Sequence, residues 1–545
     1  MSRHVSIFDI PHIAAGIGCY LTRRDLASCT LVSKTFHEQF RRLLWRELVY
    51  EKPGDSECED MEISMDYSSV INNCQWTRSL TIGPNCQRRS LNVLMSHFRR
   101  LEILKSHLIR SRDEEEDPFF SEVVKLVNNN ADLRCWSMYL QGNLPPSVLV
   151  QLTKAVSQKS RLTVLELGLG FRPRCGWLKH VLQNLPPTLR GLYLNWRYLQ
   201  GINGPENFPE QDWPVSYPSL EVVDFAIRMA DKDVPDLIQF LSRCTVLSEL
   251  GIPTLLSNST LGMVISLLES KEKLDCLTTL DLGLFIDIDE SNWRRLLWAM
   301  KGRVKGFATC VPFNATATRS YVVEMVSQWA DTLQTIILGL PMSITSRDIH
   351  LILSKCSKLK RVDCLIGRIV NPSVYAWESN PGVEGVFSSA DGGDWACVEI
   401  EEFKMMFADS RKKDAIEPIL TLQEKWTASA ICYAYQQIGR LTKLKDLSIG
   451  WWTTDDFAGC SNLDMSLRSG LGYMEGLKSL RTLDITHVRN VDVGLEEMEW
   501  MDVNWPQLRT ITGLQNRLNM EVRKVPDLNC IFWPRSAGVP DLMIM

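Results

Sequence analysis

Residues 162–167, LTVLEL, and residues 189–194, LRGLYL, share one arrangement of apolar positions. In each hexapeptide an apolar residue is followed by two variable residues, a second apolar residue, one variable residue and a third apolar residue. Side chains alternate between the two faces of a β-strand, so the second and third apolar residues point to one face and the residue between them points to the other. The pattern therefore predicts a short strand with one buried face.

This hexapeptide pattern recurs along the chain from about residue 130. The steps between successive first residues are 26 to 31 positions for the repeats that begin at Leu133, Leu162, Leu189, Leu220, Leu247, Leu277, Val304, Leu333 and Leu359. More widely spaced repeats begin at Ile400, Leu444, Leu480 and Leu508. Such regularity predicts an array of similar structural repeats.

The spacers between the predicted strands carry apolar residues at steps of three and four, as in SVLVQLTKAVSQ (147–158) and SNWRRLLWAM (291–300). This spacing is typical of amphipathic helices. A strand-and-helix repeat headed by L-x-x-L-x-L resembles the leucine-rich repeat. Because strands stack about 4.8 Å apart and helices pack 8 to 10 Å apart, the resemblance implies an α/β solenoid with a curved parallel sheet and outer helices. The family's Asn or Cys eight residues after the first Leu is replaced here, for example by Gly170, Arg197 and Arg228, so we expect an irregular solenoid.

Composition favours an ordinary soluble protein. Apolar residues make up 45% of the 545 residues, charged residues 23%, and the formal net charge is -5, which argues against a partner that binds through a basic face, such as nucleic acid. The sixteen cysteines contain no Cys-x-x-Cys pair and are interpreted as reduced thiols. With no signal peptide and no apolar run of 18 residues, we expect a cytoplasmic or nuclear protein that does not enter membranes.

The first fifty residues follow a different pattern. On one continuous helix, Leu26, Val32 and Phe36 would share a face while Leu31 would lie nearly opposite. Thr22 and Asp25 have the spacing of a capping box, which predicts a helix start. A segment of this size is marginally stable alone. We therefore expect it to need a partner.

The stretch IPHIAAGIGCYLTRRDLASCTLVSKTFHEQFRRLLWREL (10–48) resembles an F-box. The resemblance implies docking onto the Skp adaptor of a cullin-based ubiquitin ligase. Its implied adaptor-contacting residues are Ile10, Pro11, Ile17, Leu21, Leu26, Leu31, Val32, Phe36, Leu44 and Trp45. An alternative is that residues 1–50 only cap the apolar end of the repeat array.

These patterns together predict an F-box at 1–50, a linker at 51–75, and a leucine-rich-repeat-like solenoid at 76–545 with a loop insertion near 367–396. The F-box family implies that the repeats select a target protein for ubiquitination, with the chain acting as a substrate receptor. The alternative is a leucine-rich-repeat interaction scaffold with no role in ubiquitination.

The residue between the second and third apolar positions is expected to lie on the concave face. Among eleven such positions, five are acidic and none is basic: Glu166, Tyr193, Asp224, Gly251, Asp281, Ala308, Ile337, Asp363, Ser448, Asp484 and Thr512. An exposed negative strip would favour a Lys- or Arg-bearing partner segment. Solvation, or bonding to neighbouring loops, is an equally acceptable explanation of these acids. The predicted substrate-binding residues are Glu166, Tyr193, Asp224, Asp281, Asp363 and Asp484.

No catalytic motif that we sought occurs in the sequence. Phosphate-binding loops, H-E-x-x-H, G-x-S-x-G and dinucleotide fingerprints are missing, and the eight histidines have no ligand spacing. The glycine-containing SADGGD at 389–394 lacks the further oxygen ligands of a calcium loop and predicts a turn. We therefore expect no cofactor, no metal and no enzymatic activity, unless a catalytic group lies in the insertion.

Overall fold

The computed structural model describes residues 11–50, 67–83, 95–109, 118–141, 146–169, 176–196, 212–226, 233–252, 258–270, 274–283, 288–309, 315–338, 346–364, 394–405, 428–449, 465–485 and 493–514. The chain divides into two compact units. The N-terminal unit comprises Met1–Leu247 with Lys273–Asp275, and the C-terminal unit comprises Ser248–Glu272 with Cys276–Met545.

The N-terminal unit begins with three helices, α1 (Pro11–Gly18), α2 (Arg23–Cys29) and α3 (Lys34–Leu44). Strands then alternate with helices, in the order β1 (Glu47–Tyr50), α4 (Tyr67–Asn73), β2 (Ser79–Ile82), β3 (Ile103–Ile109), α5 (Pro118–Asn129), β4 (Cys135–Gln141), α6 (Pro146–Ser157), β5 (Val164–Leu169), α7 (Trp177–Gln183), β6 (Gly191–Trp196), β7 (Val222–Ala226) and α8 (Val234–Leu241). The strands β1 to β7 pair in parallel and in chain order.

The C-terminal unit continues the alternation. Its elements are β8 (Glu249–Gly251), α9 (Asn258–Glu269), β9 (Thr279–Asp281), α10 (Glu290–Ala299), β10 (Gly306–Thr309), α11 (Ala315–Trp329), β11 (Thr335–Leu338), α12 (Ser346–Lys355), β12 (Arg361–Asp363), β13 (Glu402–Met405), α13 (Ala428–Gly439), β14 (Asp446–Ile449), β15 (Thr482–Asp484), α14 (Leu495–Asn504) and β16 (Thr510–Thr512). The strands β8 to β16 also pair in parallel and in chain order. The predicted α/β repeat fold is confirmed in both units.

The second apolar residue of each repeat forms the buried row of its strand. These side chains are at most 2% exposed in Leu165, Leu192, Val223, Leu280, Phe307, Ile336, Val362, Phe403 and Leu447. Burying a side chain of this size contributes about 1.5 to 3 kcal/mol relative to leaving it in water. The leucine pattern therefore fixes which face of each sheet lies against the core.

A recurrent turn precedes several of the strands. The backbone N–H of the first apolar residue donates to the carbonyl three residues earlier, as in Leu220 to Tyr217 at 3.4 Å and Leu444 to Leu441 at 2.9 Å. This is the hydrogen bond of a β-turn. The positions where the family's Asn or Cys is replaced, Gly170, Arg197 and Arg228 among them, lie outside the described residues.

The sheet begins earlier than the predicted end of the helical segment at residue 50. Strand β1, at Glu47–Tyr50, pairs with β2 from Glu47↔Ser79 to Tyr50↔Ile82. The insertion predicted at 367–396 lies outside the described residues except for its last three positions. Strands β12 and β13 nevertheless pair in register, with Arg361↔Glu402 and Asp363↔Lys404.

Candidate functional site

Helices α1 to α3, which we call the helical module, pack around a small core. Ala14, Leu26 and Phe40 are buried, one from each helix, and the partly buried residues packed against them are Leu21, Cys29, Phe36, Leu43 and Leu44. The predicted capping box is confirmed, because the Thr22 N–H donates to the Asp25 carboxylate at 3.1 Å and the Asp25 N–H donates to the Thr22 hydroxyl at 3.2 Å. Hydrogen bonds from the Thr22 hydroxyl and N–H lower the pKa of Asp25.

The ten residues predicted to contact an adaptor occupy different environments. Ile10 lies outside the described residues, and Pro11 begins α1. Leu31 and Val32 are exposed and Leu26 is buried, whereas the half-buried members are Ile17, Leu21, Phe36, Leu44 and Trp45. Leu26, at 7% exposure, belongs to the core of the helical module itself. Leu26 therefore offers little exposed apolar surface to a partner, and its contact with an adaptor stays a prediction.

Leu31 and Val32 lie in the turn between α2 and α3. The Leu31 N–H donates to the Ser28 carbonyl and the Val32 N–H to the Cys29 carbonyl, both at 3.1 Å. The Ser33 hydroxyl then accepts from the Phe36 N–H and starts α3. The helix break explains why Leu31 does not fit a single apolar helix face. Leu31 is 86% exposed and Val32 is 67% exposed.

Two contacts attach the helical module to the segment between β1 and β2. Arg41 of α3 donates through Nε to Asn73 Oδ1 at 2.5 Å. The Arg42 guanidinium lies 4.4 Å from the centre of the Trp76 ring, a cation–π distance. Neither these two contacts nor the β1–β2 pairing covers the side chains of Leu31 and Val32.

The sheet face opposite the buried row, which we call the open face, carries a row of side chains that the strand pairing aligns. We call this the central row. In the N-terminal unit it consists of Val49, Thr81, Lys105, Ser137, Glu166, Tyr193 and Asp224. In the C-terminal unit it consists of Gly251, Asp281, Ala308, Ile337, Asp363, Lys404, Ser448, Asp484 and Thr512. The register predicted from the hexapeptides is confirmed.

The sequence predicted that no basic residue lies in the central row, but the row contains two lysines. Lys105 pairs in register with Ser137, and Lys404 lies between Asp363 and Ser448. The repeat at Ile400 follows the long insertion, and its central residue is the lysine of EFKM. A lysine side chain beside Asp363 neutralises part of the expected negative strip.

Exposure also differs among the predicted acids. Glu166 and Asp281 are exposed and Asp224 and Asp484 are half-buried. Asp363 is only 3% exposed, so its expected exposure is wrong.

The physical reason for the burial of Asp363 is its pair of cationic neighbours. Its carboxylate lies 3.6 Å from Arg361 Nη2 and 3.6 Å from Lys404 Nζ. Buried charges are tolerated when they are paired in this way. Asp363 therefore acts as a structural anion between two strands rather than as an open contact.

Polar side chains bridge neighbouring strands along the central row. The Ser137 hydroxyl donates to Glu166 Oε2 at 2.6 Å, and the Thr512 hydroxyl donates to Asp484 Oδ1 at 2.8 Å. Asp281 accepts the Gly283 N–H at 2.8 Å. Although Asp281 is exposed, the protein atoms around it desolvate the carboxylate and raise its pKa, an effect that the Gly283 hydrogen bond opposes.

The open face is widest where the strands are longest. Strands β3 and β4 have seven residues each and β5 and β6 have six. Tyrosine rings lie over glycines here, since a Cβ at Gly168 would meet the Tyr139 ring at 2.3 Å and a Cβ at Gly191 would meet the Tyr193 ring at 3.1 Å. Tyr193 thus lies on the open face beside Glu166.

Within the described ranges, no group of three or more His, Cys, Asp and Glu side chains is arranged to hold a metal ion. Over the same ranges, no helix has both the length and the apolar character needed to cross a membrane. The roles assigned to individual open-face residues remain predictions.

The strand-and-helix repeat, with its buried leucine row and open sheet face, defines an α/β repeat protein whose parallel strands pair in chain order within each unit. No protein-family model matches the sequence, and no curated protein matches it. Solved structures with some likeness include TLR13 in its complex with ssRNA13, at 13% identity over 81% of this chain and 55% of that chain, with a TM-score of 0.30. The leucine-rich-repeat-containing protein LegL7 from Legionella pneumophila is 13% identical over 60% of this chain and 93% of its own, with a TM-score of 0.31.

The yeast complex of Rad7 and Elc1 contains a chain that is 13% identical over 68% of this chain and 89% of its own, with a TM-score of 0.35. The protein described here spans about half of the length of the TLR13 chain. The fold statement rests on the repeats themselves, since likenesses of this size do not indicate a ligand or partner.

Proposed function

We propose that the protein is a non-enzymatic substrate receptor of a Skp/cullin/F-box ubiquitin ligase. In this proposal the helical module docks onto the Skp adaptor, the adaptor connects it to the cullin scaffold, and the open face binds the target protein. The chain raises the effective concentration of its target near the ubiquitin-transfer machinery, and tethering of this kind needs no catalytic group on the receptor.

The observation that carries the proposal is the pair of uncovered apolar side chains at the α2–α3 turn. Leu31 and Val32 are 86% and 67% exposed, and Tyr20, which follows α1, is 91% exposed. A segment that only capped the array would bury its large apolar groups against the first repeat. Large apolar groups exposed on so small a module are instead typical of a partner-binding surface.

The corrected environment of Leu26 changes which residues should be tested. Truncating Leu26 would disturb the core of the helical module, so a loss of binding would not identify a contact. Leu31 and Val32 make no such contribution to that core. Their side chains can be shortened with little effect on folding, because exposed substitutions usually change stability by about 0.5 kcal/mol or less.

The deciding experiment is copurification of the Skp adaptor and cullin with the full chain and with Leu31→Ala/Val32→Ala. If both side chains are buried on docking, their removal costs about 3 kcal/mol, which corresponds to a loss of affinity of more than about 100-fold. The matched control is Leu495→Ala/Val503→Ala, since this leucine and valine of α14 are also exposed, at 53% and 76%.

Unchanged adaptor recovery with Leu31→Ala/Val32→Ala would refute docking through the α2–α3 turn. If neither adaptor nor cullin copurifies with the unmodified chain, the protein is a leucine-rich-repeat interaction scaffold without a ubiquitin role. Loss of binding in the α14 control as well would show that the effect is not specific to the turn.

A further inference from the structure

A second row of side chains lies at the edge of the C-terminal sheet where the strands start. It is formed by the residue that directly follows the first apolar residue of each repeat. Backbone hydrogen bonds align it, as in the Arg481 N–H to the Lys445 carbonyl at 2.7 Å and the Arg509 N–H to the Arg481 carbonyl at 2.9 Å. We call it the edge row: Ser248, Thr278, Lys305, Gln334, Lys360, Glu401, Lys445, Arg481 and Arg509.

The edge row is strongly basic, in a chain whose net charge is negative. It contains five cationic residues and one acid, Glu401. Glu401 is paired with Lys445, and in the adjoining turn Glu399 is paired with Lys443. The hydrogen bond from Lys445 lowers the pKa of Glu401. Both of these acids are thus already neutralised by lysines.

The remaining four cations are exposed at the surface: Lys305, Lys360, Arg481 and Arg509. In the described part of the chain, no carboxylate lies within ion-pair distance of any of them. The exposed Asp331, in the turn before β11, is a further acid on this side of the sheet. Positive charge therefore exceeds negative charge along this edge.

Arg481 and Arg509 occupy equivalent positions on adjacent strands. Both belong to the tripeptide LRT, at 480–482 and 508–510, and the following threonines pair as Thr482↔Thr510. Adjacent strands are about 4.8 Å apart, and like charges placed side by side on neighbouring strands destabilise a sheet. Two guanidinium groups held together without an intervening carboxylate form a favourable site for an anionic group.

We propose that the edge row binds an acidic polypeptide segment, with carboxylates held by Arg481 and Arg509 and further contacts at Lys305 and Lys360. Arginine forks match the geometry of carboxylates and can bind them through two parallel hydrogen bonds. The row is interrupted by Gln334 and by the Glu401–Lys445 pair, so its free cations are discontinuous. Discrete carboxylates on an extended chain fit this spacing better than the uniform charge of a nucleic acid backbone.

This surface is distinct from the α2–α3 turn and from the central row, and the inference does not depend on the ubiquitin-ligase proposal. An acidic partner segment would be attracted to the edge row and repelled by the exposed acids of the central row. Complementary charge of this kind mainly determines the rate and register of association.

The test uses the full chain and a fluorescently labelled peptide of alternating glutamate and glycine, with binding followed by fluorescence anisotropy. Arg481→Gln/Arg509→Gln should weaken binding by roughly five-fold, the sum expected for two exposed ion pairs. The matched control is Lys301→Gln/Lys355→Gln, which removes two exposed charges beside α10 and at the end of α12 and should bind like the unmodified chain. Binding of the unmodified chain should weaken as ionic strength rises from about 0.01 M to about 0.15 M.

Equal binding by the unmodified chain and Arg481→Gln/Arg509→Gln would overturn the inference, as would an equal loss in the control. A single-stranded oligothymidylate that binds more tightly than the peptide and loses affinity in the same variant would also overturn it, in favour of a nucleic acid. If the arginine variant has a lower unfolding temperature, Lys305→Gln/Lys360→Gln provides the second test, and its failure to weaken peptide binding would count against the edge row.

Discussion

Asn130, which follows α5, allows a stability prediction that can be worked out from individual hydrogen bonds. Its side chain is 1% exposed. The side-chain oxygen accepts the Leu101 N–H at 2.7 Å, and the side-chain nitrogen donates to the Phe98 carbonyl at 3.1 Å and to the Leu126 carbonyl at 2.7 Å. One amide group thus connects the end of α5 to the turn that precedes β3.

Asn130→Ala would remove all three hydrogen bonds and leave buried backbone groups without those partners. At about 1 kcal/mol for each hydrogen bond, the free energy of unfolding should fall by about 3 kcal/mol. Asn184→Ala is the matched control, because the half-buried Asn184 after α7 donates one side-chain hydrogen bond of 2.7 Å to the His180 carbonyl. Its expected cost is about 1 kcal/mol.

Urea unfolding of the full chain would compare the two variants, and native-state hydrogen exchange would report on the Leu101 amide. Exchange at Leu101 should become faster in Asn130→Ala and stay unchanged in Asn184→Ala. Equal destabilisation by both variants, with the Leu101 amide still protected, would refute the assignment of Asn130 as the connection between α5 and the preceding turn.

Two further predictions concern the helical module and a buried histidine. Leu26→Ala should lower the free energy of unfolding of the helical module by about 2 to 5 kcal/mol and make α1 to α3 sensitive to protease, whereas Leu31→Ala should do neither. Equal protease sensitivity of the two variants would contradict a buried Leu26 and an exposed Leu31. Desolvation lowers the pKa of His180 below its usual 6.5, and its Nε2 lies 2.9 Å from the Thr153 hydroxyl. Below about pH 6.5 the unfolded chain therefore binds more protons at His180 than the folded chain does. In urea titrations at several pH values, the free energy of unfolding should fall more steeply with decreasing pH for the unmodified protein than for His180→Gln. Parallel pH profiles of the two proteins would rule out a neutral, buried His180.

The repeat architecture was predictable because its cause is local. A leucine pattern of fixed period defines the buried row wherever it occurs, so the register of Glu166, Tyr193 and Asp224 followed from alternation alone. The capping box of Thr22 and Asp25 was predictable for the same reason. Both depend on residues only a few positions apart.

The environment of individual side chains depends on groups that the sequence places far apart. Asp363 was expected to be exposed, but its burial results from Arg361 on its own strand and Lys404 on the next, across the insertion. Leu26 and Leu31 match the same family pattern, yet one lies in the core of the helical module and the other lies in a turn. The edge row appears only when the residue after each first leucine is aligned by strand pairing.

Strands β12 and β13 show how this fold accommodates changes in chain length. They are adjacent and in register, although the chain between Asp363 and Glu402 is longer than a complete repeat. Each strand is aligned by hydrogen bonds to its neighbours, so its position does not depend on the length of the connection. The entropic cost of a longer loop grows only slowly, by about 0.6 kcal/mol for each doubling. During evolution, connections in such an array can therefore acquire new sequence, and with it new binding specificity, while the strands on either side retain their pairing.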